Sequence, residues 1–423
     1  MYEAPIPSAL PFLADLAGKP GLNEALTRRA INAANRVGRA EDASALASVA
    51  GRPEAPKAVR VESLAILAAW AHPPGRDRIN GLWRPIEVRP AKVAADALRP
   101  ALKGLIDDAP DEVRRQAIKA VAELKVAEAG PVLAALVISG KGSASARTDA
   151  IRALEKLDEP MLGEAVQAAV GSIDGPVRSE GLRVLARLSP DRALPALGKV
   201  LEAGSATEKQ KALEVLGATD RPEADVLLAR ALDRQIGKPD LAIELELLDA
   251  ASKRKSPEVA DRLARLERSR TREGPAADYH AALEGGDRDR GQKIYRDNAA
   301  VYCVRCHKVK GEGGEVGPEL TGIGARHPRN YLLESIVAPN QAIAQGFESV
   351  VVARTDGTVV TGVLKSEDDK ALKLMTAEAQ LIEVPKADIE ERKRGASAMP
   401  EDLHKKLTKA ELRDLVEFLA TLK

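Results

Sequence analysis

Residues 303–307 read Cys-Val-Arg-Cys-His, a C-x-x-C-H motif that is typical of covalent haem attachment. Two thiols three positions apart on one helical turn can reach the two vinyl groups of one porphyrin. The residue that follows presents its imidazole to the iron from the same side. The motif therefore predicts one covalently bound haem c, with Cys303 and Cys306 as its attachment points and His307 as an axial iron ligand.

Three other interpretations of the two cysteines compete with haem attachment. A thioredoxin-type dithiol would follow a strand in a βαβ unit, whereas the upstream segment RGQKIYRDNAAVY predicts a helix and then a loop. A zinc site would need a second pair of ligands, and the chain has no further cysteine. Two unrelated buried thiols are the third alternative, but with cysteine absent elsewhere a chance C-x-x-C-H motif is improbable.

The second axial ligand decides between electron transfer and chemistry on small molecules. We expect it to be Met399, in the segment SAMPEDL, because Pro400 favours an extended backbone there and a short loop can hold the thioether over the haem. His327, His404 and Met375 are the competitors. His327 precedes a proline that is typical of a helix start, His404 lies on the turn after Met399, and Met375 belongs to a strand-like stretch.

From about residue 20 to about residue 270 the chain repeats a helical pattern, with a charged start followed by apolar residues three and four positions apart. KAVRVESLAILAAW, DEVRRQAIKAVAEL and GPVRSEGLRVLARL are three of the clearest units. Matching leucines follow one another at separations of 33, 31 and 28 residues: Leu124, Leu157, Leu188 and Leu216. A period near 30 with two helices in each unit predicts an α-solenoid.

These units resemble HEAT repeats, and the alternative interpretation is an irregular helical bundle. Between Trp70 and Lys92 the period is broken by a proline-rich stretch, which predicts an inserted loop that includes an isolated surface histidine, His72. A basic segment, DRLARLERSRTREG, closes the repeats. We place the repeat domain at residues 1–275 and the haem domain at residues 285–423.

Composition supports a mainly helical fold and excludes some partners. Hydrophobic residues make up 44% of the chain but aromatics only 2%, so Ala, Leu, Val and Ile must build the core, which suits closely packed helices. Lys and Arg total 64 against 63 for Asp and Glu, a net charge of +1. This balance removes any global argument for binding nucleic acid or an anionic membrane surface.

No targeting or membrane-spanning segment is visible in the sequence. No stretch approaches the roughly 18 uninterrupted apolar residues that would span a bilayer. The start of the chain, MYEAPIPSALPFLADLAG, lacks a basic segment and a long apolar core. Because c-type haem is attached outside the cytoplasmic membrane, we expect a periplasmic or otherwise exported protein, and we interpret the sequence as an excised fragment or a mature form.

From about Gly285 to its end the chain resembles the haem-binding cytochrome domain of large proteins from planctomycete and verrucomicrobial lineages. The resemblance is carried by the segments GGDRDRGQKIY, CVRCH, GEVGPELTGIG, YLLESIVAPNQAIAQGFES, DGTVVTGVL, SAMPEDL and LTKAELRDLVEFLATL. More generally these segments resemble class I cytochrome c. In that family the domain often follows helical repeats and a dehydrogenase-like β-propeller, so the resemblance implies an upstream catalytic domain in a longer protein.

The resemblance also implies roles for individual residues. The carbonyl of the proline in G-P-x-L, here Pro318, would accept the N–H of the proximal imidazole and orient its ring. Gly291 and Tyr295 on the first helix would cross Leu415, Phe418 and Leu419 on the last helix, with the small residue allowing close approach. Cys303, Cys306, His307 and Met399 would keep the roles described above.

A strand-rich stretch separates His307 from Met399. SVVVARTDGTVVTGVL alternates around Asp356-Gly357, a hairpin signal, and ALKLMTAEAQLIEVP continues the pattern. We expect a small antiparallel sheet at about residues 348–390, inserted into the cytochrome fold. It serves either as a structural cover or as a docking surface. The predicted fold is thus a HEAT-like α-solenoid followed by a class I cytochrome c domain with an inserted sheet.

A haem held by His and Met is closed to external ligands, so we expect an electron-transfer module that serves an upstream dehydrogenase or another redox partner. A haem peroxidase or gas sensor is one alternative, and a solenoid scaffold with a regulatory haem is another.

Two sets of residues would surround the haem. Its apolar walls would be Leu320, Ile323, Leu332, Leu333, Ile336, Leu403, Leu412 and Leu415. Its exposed edge could be framed by Arg305, Lys308, Lys310, Lys405 and Lys406, although solvated charges are the simpler interpretation.

Overall fold

The computed structural model describes residues 7–270 and 273–423. The chain divides into two compact units, Met1–Val200 and Leu201–Lys423. The first six residues, on which the interpretation of the chain start partly rests, lie outside the described part, as do Thr271 and Arg272 in the basic segment. The domain boundary expected between residues 275 and 285 remains a prediction.

The first unit is built from consecutive helices that pack on their near neighbours in sequence. They are α1 Leu10–Ala14, α2 Glu24–Val37, α3 Ala40–Gly51, α4 Lys57–Ala68, α5 Ala91–Leu98, α6 Asp111–Glu123, α7 Gly130–Ile138, α8 Ala144–Leu157, α9 Leu162–Val170, α10 Gly175–Leu188 and α11 Pro190–Ala203, the last of which runs through the division. Helix α4 packs on α6, α6 on α8, α8 on α10, and α7 on α9. Each of these helices thus packs on the helix two places further along the chain. This arrangement is typical of a helical solenoid.

Ion pairs join successive repeats at the spacing of the sequence period. Pairs of this kind, with N···O distances of 2.8, 2.7 and 3.0 Å, are Arg28–Glu62, Arg115–Asp149 and Arg152–Glu180. Lys57 and Glu112 form an equivalent pair at 2.9 Å although 55 residues separate them. The longer separation arises because the insertion lies between their helices.

The inserted loop has no helix from residue 69 to residue 90 and is held by polar contacts within the first unit. The Asp77 carboxylate is buried, accepts a hydrogen bond from the Asn32 amide and lies 3.6 Å from the Arg36 guanidinium. Arg89 stacks over the buried Trp70 ring with its guanidinium carbon 3.8 Å from the ring centroid. His72 is exposed in this loop, as the sequence predicts.

The second unit contains the last repeat helices and the C-terminal elements. The repeat helices are α12 Ala206–Ala218, α13 Pro222–Gly237, α14 Leu241–Ser252 and α15 Pro257–Ser269, and the later helices are α16 Arg288–Asp297, α17 Ile323–Arg326, α18 Arg329–Val337 and α19 Lys409–Thr421. Helix α12 packs on α14, and α13 on α15. The predicted fold class, mainly helical repeats followed by a cytochrome-like part with a small antiparallel sheet, is confirmed.

Helices α16 and α19 cross where the sequence supplies a glycine. A Cβ at Gly291 would collide with the carbonyl oxygen of Asp414 and would lie 2.7 Å from the Cβ of Phe418. Tyr295 packs on Phe418 with ring centroids 5.5 Å apart. Helix α19 begins with a capping box in which Thr408 accepts the Glu411 N–H and Glu411 accepts the Thr408 N–H. These contacts set the frame of the C-terminal part.

The inserted sheet is antiparallel with strand order β6-β5-β4-β3-β7. Its strands are β3 Ser349–Arg354, β4 Val359–Glu367, β5 Ala371–Met375, β6 Leu381–Pro385 and β7 Ile389–Arg394, and a short hairpin, β1 Lys308–Val309 with β2 Glu312–Gly313, lies apart from it. The predicted turn at Asp356-Gly357 joins β3 to β4, with Gly357 at a φ of 81°. The sheet continues to Arg394, beyond the expected end at 390. The sequence did not predict this last strand because β7 is a charged edge strand without alternating apolar residues.

Candidate functional site

The C-x-x-C-H segment forms a tight turn that brings its three functional side chains together. Residues Cys303–Arg305 form a short 3₁₀ turn, and the carbonyl of Cys303 accepts the N–H groups of Cys306 and His307 at 3.1 and 3.0 Å. Tyr302, just before the turn, has a φ of 38°, in the left-handed region that non-glycine residues seldom occupy. The turn follows helix α16 and a loop, not a strand in a βαβ unit.

The His307 imidazole is oriented by a backbone carbonyl. Its Nδ1 lies 2.8 Å from the carbonyl oxygen of Pro318. Because a carbonyl oxygen only accepts hydrogen bonds, Nδ1 must carry the proton, and Nε2 keeps its lone pair for a metal ion. Burial lowers the pKa of His307, although the hydrogen bond to Pro318 opposes this, so the neutral ring is favoured.

Close backbone contacts clamp the loop that carries Pro318 against the motif. The N–H of Gly314 donates to the Val304 carbonyl at 2.9 Å, and the N–H of Gly317 donates to the Cys306 carbonyl at 2.8 Å. A Cβ at Gly317 would lie only 2.5 Å from Cε1 and 2.8 Å from Nδ1 of the His307 ring. Only glycine lets this loop lie against the imidazole without displacing it.

Tyr295 holds the other side of the motif. Its hydroxyl donates to the His307 carbonyl at 2.6 Å. Burial raises the pKa of Tyr295 to about 12, so the hydroxyl keeps the proton that it donates. From the sequence, Tyr295 was assigned only to the crossing of helices. Its hydrogen bond and the role of Gly317 were not predicted, although the glycine-rich segment GEGGEVGPEL was a visible signal of close packing.

Both cysteines are free thiols and lie half-buried. Burial raises the pKa of Cys303 to about 11, and it also raises the pKa of Cys306. Reactive dithiols of the thioredoxin type have lowered pKa values, so the raised values argue against that alternative. Over residues 7–270 and 273–423, no group of three or more His, Cys, Asp or Glu side chains is arranged to hold a metal ion.

An apolar cluster lies beside the start of the motif, and every residue expected to wall the haem belongs to it or packs against it. We call it the apolar cluster; it is formed by the segment before α16, by α16, α18 and α19, and by the loops between them. Cys303 and Val304 pack against it. Leu332, Leu333, Ile336, Leu412 and Leu415 are buried within it, and Leu320, Ile323 and Leu403 are partly buried at its border.

Met399 is partly buried and packs against the same apolar cluster as Cys303. Its loop is held by a chain of hydrogen bonds. The Met399 N–H donates to Ser397 Oγ at 3.2 Å, the Ser397 N–H donates to Asn340 Oδ1 at 2.6 Å, and the Asn340 amide donates to Glu401. The thioether is thereby kept on a fixed loop at the border of the cluster.

The other candidate ligands have different surroundings. His404 is buried, with 7% of its surface exposed, and contacts the Tyr279 ring edge-on at 5.1 Å between centroids. Its Nδ1 has no hydrogen-bond partner among the described residues. His327 stacks on Tyr331 at 3.9 Å, and Met375 ends strand β5 in the inserted sheet. Of the two candidate methionines, Met399 is the one that packs against the apolar cluster.

The cations expected near the haem edge differ in their pairing. Lys308 is partly buried and forms an ion pair with Glu315. Arg305, Lys310, Lys405 and Lys406 are exposed. They are therefore available to solvent or to a partner.

Comparison with known proteins supports a cytochrome c-like domain. Residues 289–368 match the family model described as Cytochrome c. The matched segment contains the C-x-x-C-H motif and Pro318, and it ends before Met399. Such a domain supports haem binding and electron transfer. The chain matches none of the curated proteins with which it was compared.

Several solved structures share low similarity with the chain. The phycocyanin lyase complex of Nostoc is 17% identical with a TM-score of 0.31, covering 60% of this chain and 94% of that chain. Human deoxyhypusine hydroxylase is 15% identical with a TM-score of 0.27, covering 62% and 93%. A designed armadillo repeat protein is 18% identical with a TM-score of 0.26, covering 62% and 99%. At these scores the likeness carries no argument about function.

The sequence predicts no membrane-spanning helix. Within the described ranges, no helix has both the length and the apolar character needed to cross a bilayer.

Proposed function

We propose that the C-terminal part of this chain is a single-haem c-type cytochrome that passes single electrons. The observation that carries the proposal is the His307 ring, whose Nδ1 is held by Pro318 and whose Nε2 is left for iron, in the same turn as the free thiols of Cys303 and Cys306. The residues present fit the group, since the Cys303 thiol and the Met399 thioether pack against one apolar cluster and His307 lies in the same turn as Cys303. Bound in this way, haem iron supplies one-electron oxidation and reduction.

Each residue has a distinct part in this proposal. Cys303 and Cys306 would hold the porphyrin through thioether bonds, and His307 Nε2 and the Met399 sulfur would bind the iron. The Pro318 carbonyl keeps the imidazole in the correct tautomer and orientation. Leu320 and Ile323 belong to the apolar border that would keep water from the porphyrin. A fixed ligand pair in a dry pocket favours electron transfer over the binding of external molecules.

The partner and the location follow from the chemistry of c-type haem. Attachment takes place outside the cytoplasmic membrane, so the proposal includes export, with the periplasm as the setting. The exposed cations Arg305, Lys310, Lys405 and Lys406 fit a redox partner with an acidic surface. The electron donor would be a dehydrogenase domain, encoded upstream in a longer protein or supplied by another chain.

The test is the mass and colour of the protein after export in a host with cytochrome c maturation. We expect the intact mass to exceed that of the polypeptide by one haem, with a c-type pyridine haemochrome spectrum. The Cys303→Ser/Cys306→Ser variant should lose both signals and serves as the control. A matured wild-type sample that is colourless and has the mass of the bare polypeptide would overturn the proposal.

The Met399→Ala variant tests electron transfer against ligand binding. We expect the wild-type haem to bind carbon monoxide poorly, and the variant to bind it readily and to lose the long-wavelength absorption of a methionine-ligated ferric haem. His404→Phe, which keeps an aromatic ring against Tyr279, should behave like the wild type. Ready binding of carbon monoxide by the wild type would instead favour a sensor or peroxidase.

A further inference from the structure

Helix α19 is buried on more than the side that faces the apolar cluster. Leu412, Leu415 and Phe418 belong to that cluster. Arg413, on a different side of the helix, is also buried, with 3% of its surface exposed. In a free-standing small cytochrome a charged residue on the outer side of the last helix would lie in water. Something in this chain therefore covers it.

The cover is helix α14 of the repeats. The Arg413 guanidinium donates two hydrogen bonds to the Glu246 carboxylate, at 2.9 and 2.7 Å, although 167 residues separate the two in sequence. Glu246 itself is only 8% exposed. Among the described residues Glu246 is the one carboxylate within ion-pair distance of Arg413. A buried guanidinium therefore depends on a single repeat residue for its counter-charge.

Further contacts hold the segment before helix α16 against helices α12 and α14 of the repeats. Gln210 on α12 donates from its side-chain amide to the carbonyls of Ala242 at 2.6 Å and Gly285 at 2.9 Å. A Cβ at Gly285 would collide with the Ala242 carbonyl, so the two backbones touch. Arg290 on α16 binds the Asp414 carboxylate at 2.7 Å. Helices α12 and α14 thus contact the cytochrome-like part at its start, through Gly285, and near its end, through Arg413.

Helix α19 connects these contacts with the candidate site. It crosses α16 at Gly291 without space for a methyl group, and α16 carries Tyr295, which holds the His307 carbonyl. At its other end the carbonyl of Leu422 accepts the N–H of Gly324 in α17 at 2.9 Å. Because packed helices shift as bodies, a change in the position of α19 would move both α16, which carries Tyr295, and α17.

We propose that Glu246 is a positioning residue for the haem, and that the last repeats are a working part of the cytochrome. The proposal rests on the function proposed above. Removing one partner of a buried ion pair is costly, whereas a pair of apolar side chains would often hold two helices as well. What the bidentate pair adds is one defined orientation of α19, and hence of the apolar side chains that α19 contributes to the apolar cluster.

The experiment uses the exported full-length holoprotein and the variants Glu246→Gln, Glu246→Asp and Glu258→Gln. Glu258→Gln is the matched control, since Glu258 lies on the next repeat helix and pairs with Arg262 at the exposed surface. We expect Glu246→Gln to lower the melting temperature by roughly 10 °C. Well below its melting temperature, it should also lose about half of the methionine–iron absorption and shift the midpoint potential downward. Glu246→Asp should lie between this variant and the wild type, and Glu258→Gln should match the wild type.

The outcomes separate the two proposals. A lower melting temperature with unchanged absorption and potential would show that Glu246 only stabilises the fold, and it would overturn the positioning role while leaving the cytochrome proposal intact. If Glu246→Gln does not fold, the same two haem measurements on Glu246→Asp decide. A wild-type protein without haem, found before any variant is compared, would overturn the cytochrome proposal itself.

Discussion

Gly317 is the residue whose replacement should disturb the candidate site most directly. In Gly317→Ala the new methyl group would lie 2.5 to 2.9 Å from three atoms of the His307 ring, so the imidazole must move away from Pro318. We expect a loss of about 1–3 kcal/mol in the free energy of unfolding and a weaker ligand field at the iron. Thermal unfolding and the spectrum of the reduced protein measure the two effects.

Gly163→Ala is the control for this change. Gly163 lies in helix α9, where a methyl group would have no neighbour within 4 Å. Alanine in a helix favours folding, so this variant should be as stable as the wild type or slightly more so. If both variants have the same stability and the same spectrum as the wild type, the contact between Gly317 and the ring has no effect on ligation.

The cysteine thiols allow a prediction about pH for the haem-free protein. Burial raises the pKa of Cys303 to about 11, so the folded state holds this proton more tightly than the unfolded chain does. Folding stability should therefore be fully present below about pH 8.5 and should fall as the pH rises towards 11. Urea unfolding of haem-free protein at a series of pH values measures this loss.

A Cys303→Ser variant supplies the comparison, since its hydroxyl does not titrate in this range. Its stability should change less between pH 8.5 and 11 than that of the parent. Alkylation should agree, because the folded thiol has little thiolate at neutral pH and should react slowly with iodoacetamide. Rapid alkylation of folded protein at neutral pH would contradict the raised pKa.

At the scale of elements, the inserted sheet is separable from the apolar cluster. Val350, Val352, Leu372, Leu374 and Val384 form an apolar core of their own, distinct from the apolar cluster. The two ends of the insertion meet, since the Gly395 N–H donates to the Ser349 carbonyl at 2.8 Å. A short linker can therefore replace the sheet without moving the chain on either side.

We expect a chain in which residues 350–394 are replaced by Gly-Gly to acquire haem in the same yield per folded protein as the parent. One contact qualifies this expectation: Lys365 in β4 donates to the Glu315 carbonyl at 2.6 Å, in the loop before Pro318. The control is therefore Lys365→Met in the intact chain, which removes that contact and the contact of the Lys365 ammonium with the Phe347 ring but keeps the sheet. If excision abolishes haem attachment and Lys365→Met does not, the sheet as a whole is needed to form the site.

At the scale of the molecule, the position of the domain boundary decides which fragment folds. Residues 285–423 contain the predicted haem domain but lack Glu246, so Arg413 would lose its partner. Residues 201–423 form one compact unit that keeps the pair. We expect the longer fragment to fold and carry haem, and the shorter fragment to be less stable, because it lacks the repeat helix that packs over Arg413 on α19.

Urea unfolding and haem content of the two exported fragments check this prediction. The longer fragment with Arg413→Met and Glu246→Met is the control, since an apolar pair of similar size often replaces a buried ion pair without loss of stability. Equal stability of the fragments 285–423 and 201–423 would place the boundary where the sequence pattern suggests.

The C-x-x-C-H spacing, the helical period and the Asp-Gly turn were visible in the sequence because each depends on residues close together in the chain. From them the sequence determined the turn that carries Cys303 and His307, the helical repeats and the hairpin around Gly357. Each of these local patterns predicts structure because it depends only on covalent geometry or on the periodicity of a single helix or strand. The charged strand β7 has no such pattern, and its place in the sheet was therefore missed.

Tertiary structure alone decided which distant residues meet. The contact of Gly317 with the His307 ring, the hydrogen bond from Tyr295 and the pair between Glu246 and Arg413 join segments that no periodicity relates. An arginine in an amphipathic helix predicts an exposed charge, and only the packing of a second helix over it turns it into a buried contact. The burial of a side chain depends on every element around it, and that information is not local to any stretch of the sequence.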